Sequence, residues 1–242
     1  MKVSVIVPAF NEEKLLVDTL RSIRSAAEVF VRTGWAWELI VCDNNSTDRT
    51  TEIAESEGAR VVFEAKNQIS RARNAGAAAA TGDWLLFIDA DSTPSWKHFE
   101  NVRNCIRSGR HLAGGCHVQM EPMPPWAKAV QHVWNWISRT FRLAAGSFLF
   151  AERRAFEEAG GFSEEVYATE ELILSAALNT VAKRRGLQAL HIMPSPALLT
   201  SGRKMDLYTA EEHFRFILGG IFNKTKTLGD ADACHLWYDG RR

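Results

Sequence analysis

Residues 84–94 read WLLFIDADSTP, an apolar run that passes without a break into Asp89 and Asp91. The run has the length and residue types of a buried strand, and the two carboxylates at i and i+2 mark its exit. Carboxylates so placed can both face a ligand, and their hard oxygens suit Mg²⁺ or Mn²⁺ carried on a diphosphate. A D-x-D triplet alone is common in solvated loops. Its position at the end of an apolar strand gives it weight.

Three more β-rich runs precede it, at residues 3–7, 38–42 and 60–63, and helical stretches separate them. Leu15, Leu16, Thr19, Leu20 and Ile23 recur at helical spacing until Gly34. Ser46, Thr47 and Asp48 offer caps for a second helix ending near Gly58, and a third helix is predicted over residues 70–80, before Gly82. Stacked βα units need right-handed crossovers, so the segment predicts an α/β fold, a twisted sheet with helices on both faces.

Downstream the texture changes. GGCHVQMEPMPP, residues 114–125, reads as a strand leaving into a Pro-rich turn, and a Trp-rich helix is predicted over 126–141. A strand over 146–151, a helix over 170–184, a strand over 187–193 and a last helix over 210–223 follow. No Gly/Ser/Pro linker parts the chain, which predicts one domain: a first half, 1–95, an elaborated second half, 96–226, and a tail, 227–242.

The chain has 242 residues, 46% hydrophobic and 24% charged, with 29 basic residues against 29 acidic ones. That balance argues against a nucleic-acid partner, which calls for excess Lys and Arg. Any anion bound here must meet local positive charge. The four cysteines lie far apart with no C-x-x-C pair, so neither a disulfide scaffold nor a zinc ribbon is expected. The first apolar run is too short for a signal-peptide core and no uncharged run spans a bilayer, which predicts a cytoplasmic protein.

In an open α/β sheet, ligands sit beyond the carboxyl ends of the strands. Three of those exits are polar together: Pro8 to Glu12, Asp43 to Asp48, and Asp89 to Asp91. There is no G-x-G-x-x-G after the first strand and no G-x-x-x-x-G-K-[ST], which removes dinucleotide dehydrogenases and P-loop NTPases.

The ordered set VSVIVPAFNEE, IVCDNNSTDRT and ISRARNAGAAAATGDWLLFIDAD resembles the family 2 glycosyltransferases of the GT-A fold. A looser match continues through AGSFLFAERRAFEEAGGFSEE and ATEELIL. The resemblance implies a Rossmann-like single domain with a mixed, mainly parallel central sheet. It also implies an inverting, metal-assisted transferase of hexosyltransferase type, with a UDP- or GDP-sugar as donor and Mg²⁺ or Mn²⁺ as cofactor. By position, Pro8, Phe10 and Glu12 fall in the loop along the nucleoside, and Asp43 matches the acid that accepts a hydrogen bond from the base. Its usual acidic neighbour is Asn44 here, which leaves the base open. Arg73 and Asn74 match the A-R-N motif, with the Arg near base or phosphates. Asp89 corresponds to the residue near ribose and sugar, and Asp91 to the metal ligand.

Displacing a nucleoside diphosphate from an anomeric carbon builds charge on the leaving phosphate and requires a base for the acceptor hydroxyl. By resemblance that base opens a helix after the Gly-Gly-Phe segment. Here the run is Thr169, Glu170, Glu171, so Glu171 takes the position and Glu170 is the reserve; both are also what a helix N-terminus favours. His191, after a predicted strand, is a further metal-ligand candidate, although a lone His there is more often structural. Arg203 and Lys204 sit in a loop that can close over the diphosphate.

Trp126, Val130, Val133, Trp134 and Ile137 fit one helical stripe, which reads as core packing. With Lys128, Arg139 and Arg142 beside it, the segment also fits a peripheral contact with the inner face of a membrane. The acceptor stays open between a glycan, a lipid-linked sugar and a small molecule. A nucleotidyltransferase or sugar-nucleotide pyrophosphorylase keeps the fold and metal but wants a Gly-rich, basic phosphate cradle missing from the first loop. A non-catalytic binding protein would tolerate decayed acids, yet Asp43, Asp89, Asp91, Glu170 and Glu171 are all present.

Overall fold

A computed structural model of the chain describes residues 1–203. The expected helix over 210–223, the tail over 227–242 and Lys204 lie outside the described residues. The first four apolar runs form β1 (Lys2–Ala9), β2 (Ala36–Asp43), β3 (Arg60–Phe63) and β4 (Trp84–Ile88). They pair in parallel, in the order β3-β2-β1-β4. Helices α1 (Leu16–Arg32), α2 (Thr50–Ser56) and α3 (Ile69–Ala79) make the crossovers. Strands covered on both faces carry apolar side chains on both. Val3, Val5 and Val7 enter one core with Leu20, Ile23 and Phe30 of α1, and Ile6 enters the other with Leu85 and Phe87 of β4.

The same sheet continues through the second half. Its elements are β5 (Ser92–Thr93), α4 (Trp96–Ser108), β6 (Ala113–Glu121), α5 (Pro125–Phe141), β7 (Phe148–Glu152), α6 (Arg153–Glu158), α7 (Glu170–Arg184) and β8 (His191–Ser201). The eight-stranded order is β3-β2-β1-β4-β7-β6-β8-β5, a mixed sheet flanked by helices, as expected. β7 runs antiparallel to both β4 and β6, and β8 runs parallel to β6. Two reversals therefore restore the direction, and β6 and β8 leave the sheet at the edge where β1, β2 and β4 leave it. β5 pairs with the end of β8, Ser92 opposite Thr200, which brings the chain after Asp91 against that strand.

Several elements depart from the sequence reading, the short β5 and α6, neither of them predicted, among them. α4 was not anticipated, although Ser95 caps it reciprocally with His98 and Gly109 ends it at φ 63°. It packs on α1, with the rings of Phe30 and Phe99 5.2 Å apart. The last strand does not stop at Met193. Pro194 and Pro196 suggest a break because they donate no ladder hydrogen bond, but the register shifts there: Met193 faces Cys116, Leu198 faces Val118, and the prolines sit in the irregularity. The predicted single stripe of α5 also divides. Trp134 packs against the core, whereas Val130 and Val133 are exposed.

Gly76 lets α3 lie close on β1, since a Cβ there would meet Ile6 Cγ2 at 2.5 Å. In open space Gly→Ala gains helix propensity, about 1 kcal/mol. Here Gly76→Ala is expected to destabilise the protein by about 1–3 kcal/mol through overpacking. The urea midpoint checks this, and a rise in the midpoint would contradict the close contact.

Candidate active site

The first two strand exits are laced into one wall. Ala9 pairs with Asp43, and the Asn44 N–H donates to the Ala9 carbonyl at 2.8 Å. Asn11, at φ 53°, donates its N–H to Ser46 Oγ at 3.0 Å and accepts the Thr47 N–H on Oδ1 at 2.8 Å. Asp43 is buried and accepts the Ser46 N–H on Oδ1 at 3.1 Å. Asp48 instead caps α2, accepting the Thr50 N–H at 3.0 Å, so the acids of this loop have separate tasks. Pro8 is buried at the end of β1, and Phe10 follows it half-buried at the mouth.

Asn44 has a structural reason to be an amide. Its Nδ2 donates to the carbonyls of Lys66, 2.6 Å, and Glu64, 3.3 Å, while its Oδ1 accepts the Gln68 N–H at 2.9 Å. A carboxylate could accept but not donate. Asn44 thereby ties the β2 exit to the start of α3.

α3 then delivers Arg73 and Asn74. Arg73 is 2% exposed and is the hub of the site. Its Nη2 donates to Asp89 Oδ1 at 2.8 Å and to the Gly146 carbonyl at 3.1 Å, and its Nη1 donates to Glu170 Oε1 at 2.5 Å. Phe162 lies against the guanidinium, 5.1 Å from ring centroid to Cζ. A Cβ at Gly146 would stand 2.9 Å from Nη2, so only glycine leaves room for this approach. Asn74 holds Phe162 in place by accepting its N–H at 3.0 Å and donating to its carbonyl at 2.9 Å. The guanidinium is turned to two carboxylates, where the resemblance implied a base or phosphate neighbour.

This hub joins Asp89, at the exit of β4, to the opening turn of α7. Burial alone would drive the proton from Arg73, but Asp89 and Glu170 outweigh it and hold the guanidinium charged. Glu171 is pushed up to about 8, first by burial and then by the neighbouring Glu170 carboxylate, with Arg73 opposing. Burial raises Glu170 too, against the pull of Arg73. One guanidinium serves the pair and contacts Glu170, so the two carboxyls share its charge and both stand above the usual carboxylate range.

Asp91 faces another way. Its Oδ1 accepts the Thr200 hydroxyl at 3.1 Å, its carbonyl accepts the Ser201 N–H at 3.1 Å, and Arg203 stands 3.7 Å from Oδ2. Arg203 also contacts the buried carboxylate of Glu12. Glu12, Asp91 and Arg203 are thus brought together, as are Arg73, Asp89 and Glu170. His191 is not among them: it opens β8 beside His111, whereas Asp91 touches that strand's far end, roughly 30 Å of strand away. Among the described residues no three His, Cys, Asp or Glu side chains form a ready-made metal cage. The half-buried carboxylates of Asp89 and Asp91 still suit Mg²⁺ or Mn²⁺, because such ions take part of their coordination from substrate phosphates.

Residues 4–154 match the model of glycosyl transferase family 2. The chain belongs to this family. Glycosyltransferase AglD of Haloferax volcanii is 31% identical over 119 residues, 47% of this chain and 19% of that protein. The chain thus spans a fraction of that relative. Two solved glycosyltransferases share the GT-A fold. S. aureus TarS in complex with UDP-GlcNAc superposes with a TM-score of 0.64 at 20% identity, covering 99% of this chain and 71% of that one. Mannosyltransferase PcManGT from Pyrobaculum calidifontis, in complex with GDP-Man and Mn²⁺, gives 0.68 at 18% identity, covering 96% and 64%.

Among the residues that build the site, Gly146 and Asn44 carried no decisive signal in the sequence. Gly146 precedes a strand like many turn glycines, and Asn44 reads as a turn residue. The raised carboxyl of Glu171 has a consequence for stability. A group whose pKa rises from the ordinary carboxylate value to about 8 on folding binds its proton more tightly in the native state. Stability therefore falls as pH rises from about 4.5 to about 8. Glu171→Gln removes this contribution, so melting temperatures from pH 5 to 8 should fall less steeply in the variant, and parallel curves would contradict the buried proton.

Proposed function

We propose that this chain is an inverting glycosyltransferase that moves a sugar from a nucleoside-diphosphate sugar, UDP- or GDP-linked, to an acceptor hydroxyl. The observation that carries the reading is the Arg73 bridge. It sets the first turn of α7, with Glu170 and Glu171, one guanidinium away from the strand exit that bears Asp89 and Asp91. A donor-side acid and an acceptor-side base must face one anomeric carbon from opposite sides, and this spacing supports that arrangement.

In the proposed reaction Pro8, Phe10 and Glu12 line the nucleoside with Asp43 accepting from the base. Asp91, with Asp89, is the site for a divalent cation, Mg²⁺ or Mn²⁺, which when bound supplies Lewis-acid stabilisation of the diphosphate. Arg203 turns its charge to the phosphates, with Lys204 next in sequence. Glu171, once deprotonated, takes the proton of the acceptor hydroxyl as the acceptor oxygen bonds to the anomeric carbon. The bond from that carbon to the diphosphate oxygen breaks, and the electron pair leaves with the nucleoside diphosphate. Glu170, engaged by Arg73, orients the pair; residues 1–95 serve the donor and the second half the acceptor. The AglD relative supports glycosyl transfer, and the UDP-GlcNAc and GDP-Man bound by the solved neighbours support a nucleotide carrier.

A thermal-shift panel of UDP, GDP and TDP with and without Mn²⁺ tests the donor class, because a ligand at 100 times its Kd adds about 2.7 kcal/mol of stability. The expected result is a shift for one nucleotide that needs the cation and is lost in Asp91→Asn. Retention of the shift in that variant would move the metal elsewhere. For Glu171→Gln, donor binding should persist while kcat falls about 10²- to 10⁴-fold. Wild-type kcat/KM, which reports the free enzyme, should rise with pH, pass its half-maximal value at about 8 and level off above it. A flat profile, or full activity in the variant, would transfer the base to Glu170.

A further inference from the structure

α5 is apolar on two sides. Ala127 and Ser138 are buried and Trp134 packs on the core, the ordinary inner face of an amphipathic helix. On the outer side Val130, Val133, Trp136 and Phe141 are between 53% and 65% exposed. Val130, Val133 and Trp136, spaced by three, form one exposed strip over about 120° of the helix surface; Trp136 and Val133 are turned away from Trp134, and Val130 borders it. Such an outer sector in a surface helix marks an interaction face.

The charges on the helix select the partner. Lys128, His132 and Arg139, at i, i+4 and i+11, form a single row bordering Trp136. The 17-residue helix has no Asp or Glu. Between this row and β6 lies a groove of about 550 Å³, lined by His117, Gln119, Lys128, His132, Trp136 and Arg139. Glu121 at its rim is engaged by the Gln119 amide at 2.5 Å. Val118 and Met120 expose their N–H groups to the side chains of Asn135 and Gln131, which fixes the helix along β6 and holds the row beside the groove.

We propose that α5 docks the protein on a membrane surface rich in anionic headgroups. Val130, Val133, Trp136 and Phe141 enter the boundary between headgroups and acyl chains, and Lys128 and Arg139 meet the headgroup phosphates. A Trp- and Val-bearing sector beside cations, in a helix free of acids, is the chemistry of an interfacial helix. No helix among the described residues is long and apolar enough to cross a membrane, and α5 lies along the surface.

The test is co-sedimentation of the full chain with vesicles of phosphatidylcholine alone and with about a third phosphatidylglycerol. Two surface cations are worth about 1 kcal/mol each near an anionic surface, so binding to the anionic vesicles should be about 10- to 30-fold stronger. Val133→Ser combined with Trp136→Ser, and separately Lys128→Glu combined with Arg139→Glu, should each lose most of that binding. All four positions are exposed, so the far-ultraviolet circular dichroism and the nucleotide-induced thermal shift should stay as in the wild type. The proposal is overturned by no binding to anionic vesicles, equal binding to both kinds, or binding unchanged in both double variants. A wild-type dimer that the serine variant converts to monomer, without vesicle binding, overturns it in favour of a second copy of the chain.

Discussion

A buried guanidinium decides the geometry of this molecule. Arg73 is withdrawn from water between Asp89 and Glu170, residues that belong to different halves of the chain. Leaving a buried charge without its partner costs about 3–5 kcal/mol, so removing any one of the three side chains strands the others. The arrangement is thus cooperative: α3 must lie close on β1, Gly146 must have no side chain, and Asn74 must hold Phe162 against the guanidinium face. Each of these contacts exists because the next would otherwise leave charge in an apolar core.

The two core clusters extend this logic through the sheet. Residues alternating along β1 and β4 feed both faces, so the strand exits emerge from rigid packing. Side chains on such exits are held to the tolerance that positioning needs, whereas the same acids on a long loop would wander. The reversal at β7 lets the second half contribute β6 and β8 to the same edge.

Much of this was readable in the chain. β3, β4 and α7 occur with the predicted bounds, because apolar runs, and a helix that opens on acids and closes on bases, are local signals. The convergence of the Pro8, Asp43 and Asp89 exits followed from parallel topology alone. What was not readable depends on distant partners. The pairing of Arg73 with Glu170 spans 97 residues, and nothing near either residue announces it. The predicted strand end at Met193 fails for the same reason: residues 194–197 of β8 bulge opposite the single residue His117 of β6, and that bulge takes up Pro194 and Pro196 while the pairing resumes at Leu198. The outward face of α5 was hidden for a related reason: periodicity groups apolar residues but does not say which group meets the core.

Arg203 gives the neutral total charge a different meaning. It stands against Glu12 and near Asp91, so these acids already hold a cation that is covalently part of the chain. The cation proposed for Asp91 would meet a resident competitor, and its entry would be an exchange of counter-ions in place of a simple addition. A guanidinium released by such an exchange is left beside the cleft with charge to spend on an anion. Within the balance of 29 positive and 29 negative residues, Arg203 with Glu12 and Asp91 is a prearranged group whose members can change partners without altering the total.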